Sequence, residues 1–323
     1  VAQISLVYST HRPETLKAAS RLMRRYDAII LEEPSTPGFV EMLSGKFPLA
    51  EYLSEQDLEY PEFSRASCRM LQDLHGRGKT ILQMEPFLDQ LLRIHEFFAD
   101  GGSPELLHDQ PLLYPVCQAE KAATGSLIRF YRMALTDSFD AIVESVKAFA
   151  RDDARRFVLR DRMRARVLAP VAEEFATIYV EAGVMHVRLW NELRRRLGPG
   201  SRLEQIHLME TASRSIWGRR HTFGPGDLLT MRFIYHPDFD GPKADLLAAR
   251  SLIYSKILTK EEMAPSETPY PHLHNEIESI QMVSTLNQEE CRKLYPQIRL
   301  TGTIDARAKV HEYIDARKRN SNR

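Results

Sequence analysis

Over the first third of the chain, short unbroken apolar runs alternate with stretches in which apolar residues recur every three or four positions. Ile4–Tyr8, Asp27–Leu31 and Thr80–Met84 read as strands, at about 2–8, 27–32 and 80–84. Leu16, Ala19, Leu22 and Met23 form one helical face, and Leu88, Leu91, Leu92 and Phe97 form another. Pro13 and Pro86 open these helices, at a position where a missing N–H costs nothing. Pro34 and Pro37-Gly38 break the chain after the second strand, helical segments fill the region to about residue 76, and Gly76-Arg77-Gly78 turns into the third strand. Strands alternating with helices predict a parallel sheet with right-handed crossovers.

From about 113 to 175 the pattern is helical almost throughout. Its arginine-dense stretch, Arg151 to Arg166, contains Phe157, Leu159 and Met163 and is followed by Val167, which predicts an amphipathic helix with a solvated charged face. Strand patterns return at about 177–182, at Leu203–Leu208 and at Leu228–Tyr235, with a helix at about 187–197 between the first two. Beyond residue 236, prolines punctuate a segment with helices at about 243–258 and 304–317, and Arg317–Arg323 reads as a frayed tail. The expected architecture is α/β: a mostly parallel open sheet flanked by helices, a large helical insertion at about 103–175, and a mainly helical C-terminal extension. This implies an α/β domain over 1–238 and an extension over 239–323 packed on it.

Composition narrows the function classes. The 323 residues carry 44 Lys plus Arg against 44 Asp plus Glu, so the global positive charge expected of a nucleic-acid-binding protein is missing. No apolar run approaches the eighteen or so residues of a bilayer span, and no signal peptide is visible. Cys68, Cys117 and Cys291 are too few and too widely spaced for a disulfide framework or a zinc pattern, which favours a reducing compartment and a cytoplasmic location. Gly78-Lys79-Thr80 has no glycine five positions earlier and precedes a strand, so it is no phosphate loop. A Gly-x-Ser-x-Gly elbow, a His-Glu-x-x-His helix and a dinucleotide glycine fingerprint are all missing. His272-Leu273-His274, with Glu276 and Glu278 nearby, reads as a pair of exposed loop histidines.

Three strand ends carry ionisable residues: Ser9-Thr10-His11, Glu32-Glu33 and Gly183-Val184-Met185-His186. In open α/β sheets ligands bind beyond the carboxyl ends of the strands, so parallel neighbours would bring these groups to one crevice. Each residue alone also fits a structural role: His11 precedes the helix opened at Pro13, His186 begins a helix, and Glu32 caps a turn before Pro34. Glu85, at the end of the third strand, is either a helix cap beside Pro86 or a second carboxylate of the same edge.

The order Tyr8-Ser9-Thr10-His11, Asp27–Glu32, Arg160-Asp161-Arg162-Met163, Gly183-Val184-Met185-His186 resembles the TraB/TIKI family, which shares a superfamily with erythromycin esterases and ChaN-like haem-iron uptake proteins. The resemblance covers about residues 1–215, and Tyr8 stands where the family has the glycine of its first Gly-x-x-His motif. It implies His11, Glu32, Arg160 and His186 as catalytic residues, with Tyr8, Glu33 and Glu85 as substrate-binding or secondary residues. His11, Glu32 and His186 are ligand types that suit a divalent metal ion, which would generate hydroxide from bound water. Without metal, a histidine serves as general base and Arg160 as oxyanion donor. The implied activity is hydrolysis of an ester, amide or peptide bond in a small-molecule or peptide substrate. The alternative is a non-catalytic member that binds a haem-like ligand or regulates.

Overall fold

The computed structural model describes residues 2–56 and 58–321. Two compact units are distinguished, one comprising 1–117, 157–212 and 262–269 and the other 118–156, 213–261 and 270–323. The boundary expected near residue 238 therefore falls inside the second unit.

The first unit is built on β1 (Gln3–Ser9), β2 (Ala28–Leu31), β3 (Thr80–Gln83), β4 (Thr177–Gly183) and β5 (Arg202–His207), all parallel, in the order β3-β2-β4-β1-β5. The helices of this part of the chain are α1 (Leu16–Met23), α2 (Phe39–Leu43), α3 (Leu49–Ser54), α4 (Pro61–Gly76), α5 (Pro86–Ala99), α6 (Pro104–Leu107), α7 (Tyr114–Thr136), α8 (Phe139–Val171) and α9 (Leu189–Arg194). A single 3-10 turn, Pro13–Thr15, leads into α1. The long helical insertion of the sequence pattern is thus α6 to α8.

Strand residues alternate between two apolar clusters, as the pleat requires. Leu6, Ile30, Ile178 and Val180 pack with Ala165 and Leu168 of α8 and Leu189 and Leu193 of α9. Val7, Ile29, Leu31 and Tyr179 pack with Ala19 and Met23 of α1 and Leu71 and Leu74 of α4. The connections leaving β1 and β2 therefore cover one face, and those bounding β4 cover the other. β4 lies between β1 and β2, so both of its edges are topological switch points, where connections part and leave a crevice beyond the carboxyl ends.

The second unit holds α10 (Glu210–Trp217) for most of its length, α11 (Pro225–Tyr235), α12 (Pro242–Ile257), α13 (Pro271–Ser284), α14 (Gln288–Ile298) and α15 (Thr303–Ser321), with parts of α7 and α8. α12 buries Ala244, Ala248 and Leu252 on one side and Ala249, Ile253 and Ile257 on another, the mark of a central helix.

Three expectations are corrected here. Leu228–Tyr235 is not a strand but most of α11: Pro225 sits in its first turn, Asp227 accepts the Gly224 N–H at 2.9 Å, and Leu229 with Phe233 and Thr230 with Ile234 are buried at i, i+4 spacing. A short apolar run has no period of its own, and the cap decided it. His272-Leu273-His274 is no exposed loop pair but the first turn of α13, with His272 buried. The tail does not fray at Arg317, because α15 continues to Ser321, with Arg317 donating to the Thr285 carbonyl and pairing with Glu290; Asn322 and Arg323 lie outside the described residues. The three cysteines are free thiols, and among the described residues no helix is long and apolar enough to cross a membrane.

Leu6 is fully buried in the middle of β1. Leu6→Ala is expected to cost about 2–5 kcal/mol, read as a lowered denaturant midpoint for the first unit; an unchanged midpoint would contradict this core.

Candidate functional site

Glu32 is the first residue past β2, and by alternation its side chain turns to the face covered by α8. Four groups meet its carboxylate. Oε1 receives His186 Nε2 at 2.6 Å and Arg160 Nη2 at 3.4 Å. Oε2 accepts the backbone N–H of Gly183 and is ion-paired with Arg164 Nη1 at 3.2 Å, without a hydrogen bond to it. Burial alone would raise the Glu32 pKa, but His186 and Arg164 hold it well below the usual carboxylate value.

His186 is buried, and both ring nitrogens face carboxylates: Nε2 on Glu32, Nδ1 on Asp161 Oδ1 at 2.5 Å. Burial would lower its pKa; Glu32 and Asp161 raise it to about 9, so the ring is an imidazolium at neutral pH. Asp161 is fixed by its second oxygen, which accepts the Arg188 N–H at 2.9 Å. Arg164 is fully buried and spans three strand ends: Nε donates to the Met84 carbonyl at 3.2 Å, Nη2 to the Glu181 carbonyl at 2.6 Å, and Nη1 faces Glu32. Phe157, Arg160, Asp161, Arg164, Ala165 and Leu168 form one stripe of α8 at three- and four-residue spacing. Part of the arginine-dense stretch expected to face solvent is therefore the floor of this site.

Arg160 lies nearer the surface, with its guanidinium carbon 5.8 Å from the ring centres of Phe87 and Phe157. Its Nε donates to Glu85 Oε1 at 3.2 Å, while Glu85 Oε2 caps α5 by accepting the Leu88 N–H at 2.9 Å. Glu85 thus holds both roles considered for it, and it is fully buried.

His11 is on the other side of the β4 end. It has φ +51°, the one positive φ among described non-glycine residues, and its N–H donates to Ser9 Oγ at 3.1 Å. Histidine tolerates this left-handed region better than most residues, and a strained turn after a strand re-aims a side chain. The ring is 34% exposed, with Nε2 3.5 Å from Glu181 Oε1. The surrounding protein alone would lower its pKa, but Glu181, then Glu32 and Glu33, raises it to about 9. Glu181 also accepts the Glu32 N–H at 3.3 Å, so one carboxylate joins the two halves of the site.

The structure therefore links His11, Glu32, Arg160 and His186 in one network at the carboxyl ends of the strands, His11 through Glu181, with Glu85 behind Arg160 and Glu33 exposed beside it. Tyr8 is not part of it. In the β1–β4 ladder Tyr8 pairs with Ala182, and Ser9 pairs with Gly183. The two His-bearing motifs are thus out of step by one residue, and Tyr8 is buried with its ring stacked on His207 at 4.6 Å. Asp161, Arg164 and Glu181 are members of this charge cluster that the strand-end pattern missed. A charged residue inside an otherwise apolar strand marks Glu181, and four-residue spacing from Phe157 and Arg160 marks the other two.

The expected metal set does not fit this geometry. An imidazolium that donates from both nitrogens offers no lone pair to a cation, and Arg160 and Arg164 occupy the Glu32 oxygens. Among the described residues no three His, Cys, Asp or Glu are grouped so as to hold a metal ion.

Fold and site define an open parallel α/β protein with a buried charge cluster at its topological switch point. Over 291 residues, 90% of this chain and 97% of the relative, it is 32% identical to an uncharacterized protein of Archaeoglobus fulgidus, and it belongs to the family of that protein. No family model matches the chain, and no solved structure matches it.

Since folding raises the His186 pKa from 6.5 to about 9, its contribution to stability is complete below pH 6.5 and is lost as pH rises through about 9. The lowered Glu32 pKa acts oppositely, contributing above its ordinary value of 4.5 and fading as pH falls through its folded value. His186→Gln should lower the melting temperature at pH 6 and flatten its decline between pH 6.5 and 9; an equal decline in both proteins would contradict the buried imidazolium. Arg164→Met should cost about 3–5 kcal/mol by leaving Glu32 under-compensated, measured by denaturant unfolding.

Proposed function

We propose that the chain is a hydrolase acting on an ester, amide or peptide bond, with His11 as general base and Arg160 as oxyanion donor. The observation that carries this reading is the division of the site by exposure. His186, Asp161 and Arg164 are buried and tied to carboxylates or to the backbone, so they support. His11 is the accessible ionisable ring: Glu181 holds its Nε2, which leaves Nδ1 as the nitrogen to take a proton from water. Arg160 uses Nε and Nη2 on Glu85 and Glu32, which leaves Nη1 for a developing negative oxygen. Glu32, held far below neutrality, is a poor base and serves to place Arg160. The likeness of the order His11, Glu32, Arg160, His186 to the TraB/TIKI family supports the same reading. One observation favours the alternative of a ligand-binding or regulatory protein: the buried charges are paired with one another, and the open groups at the rim, His11 and Arg160, suit binding of an anion as well as turnover.

A panel of nitrophenyl esters, anilides and peptides tests the proposal. His11→Asn is expected to lose about 10²–10⁴-fold in kcat/KM with an unchanged circular dichroism spectrum. Because a base must be deprotonated and His11 is held near 9, wild-type kcat/KM should rise with pH up to about 9. Dialysis against a chelator should leave the rate unchanged. Failure of wild-type protein to turn over any member of the panel, or full activity in His11→Asn, would overturn the proposal.

A further inference from the structure

Beside His11 the first unit contains a cavity of about 140 Å³ between the ends of β2 and β3 and the α3–α4 region. Phe63 is common to both places: it lines the cavity and meets the His11 ring edge-on at 6.2 Å. Leu53 and Leu58 extend its apolar wall, and Glu33, Gln83 and Tyr52 supply polar groups. These polar groups are fixed in one sense. The Thr36 N–H donates to Gln83 Oε1 at 3.0 Å, which turns Nε2 toward Glu33, where it donates to Oε2 at 2.9 Å. Thr36 Oγ1 is in turn 2.9 Å from the Tyr52 hydroxyl. Glu33 is therefore held over the cavity as an acceptor, with its second oxygen bound to no described residue.

A volume of this size takes about six non-hydrogen atoms, by comparison with an apolar cavity of about 150 Å³ that holds benzene. An apolar wall with a carboxylate at its margin suits a short alkyl stem that ends in a positive charge. We propose that this cavity seats an alkylammonium group of the substrate, the length of a lysine side chain, and that Glu33 determines that choice. The assignment rests on the hydrolase reading for the reacting bond, but the cavity and its charge can be tested without turnover.

Nα-acetylated lysyl and norleucyl nitrophenyl esters differ only in the terminal ammonium. Wild-type protein should prefer the lysyl ester by about 10- to 100-fold in kcat/KM, the range of a hydrogen bond to a charged group, and Glu33→Gln should bring the ratio within about threefold. In a second arm, n-butylammonium should bind wild-type protein saturably by ligand-observed NMR, and at least about tenfold more weakly to Glu33→Gln, with n-butanol as the uncharged control. Turnover with no charge preference, or a preference that survives Glu33→Gln, overturns the cavity assignment and leaves the hydrolase reading standing. Glu33-dependent butylammonium binding with no turnover of any ester overturns the hydrolase reading and retains the cavity. Absence of binding, or equal binding by the two proteins, also overturns the assignment.

Discussion

A buried carboxylate needs compensating partners, and Glu32 has four of them from two parts of the chain. His186 and the Gly183 N–H come from the end of β4, and Arg160 and Arg164 come from α8. Arg164 also takes the carbonyls of Met84 and Glu181, so one guanidinium ties the exits of β2, β3 and β4 together. An uncompensated charge in such a place is very costly, and a half-made network is worse than none. The strand exits, the register of α8 and the orientation of His186 are therefore one joint solution: none can change without orphaning another.

That closure separates two kinds of group. Residues on the floor are neutralised and cannot exchange protons or accept ligands without unfolding the cluster locally. Residues at the rim keep open valences. His11 sits on the opposite side of β4 from α8, in a strained turn that aims its ring outward, and Glu181 connects it electrostatically to the floor. In the proposed hydrolase reading the chemistry belongs to His11 and Arg160, and their placement belongs to Glu32, Glu181, Glu85 and the buried set. A metal would need the lone pairs that this arrangement has already committed to protons and guanidinium groups.

Where sequence pattern and structure part, the cause is local and identifiable. Leu228–Tyr235 is apolar enough for a buried strand, but the cap at Gly224–Asp227 makes it a helix, and because its exposed positions include Leu228 and Tyr235 it shows no clear polar stripe. The arginines of α8 read as a solvated face because charge normally is solvated; Arg164 is buried because a carboxylate and two strand-end carbonyls wait for it. Nothing in the local sequence of α8 announces those partners, which lie about 20, 80 and 130 residues away.

The sequence by itself determined the parallel α/β architecture, because strand and helix periods depend on nearest neighbours and caps. It also determined that His11, Glu32 and His186 share one edge, because parallel strands bring their carboxyl ends together. Tertiary structure decided what each of them is. The one-residue offset between β1 and β4 removed Tyr8 from the site and put Ser9 opposite Gly183. The convergence of Asp161 and Glu32 on His186 made that ring a fixed cation, where the strand-end pattern alone allowed a base or a ligand. Protonation state and accessibility are properties of neighbours brought together from distant parts of the chain, so they follow from the packed structure and not from residue order.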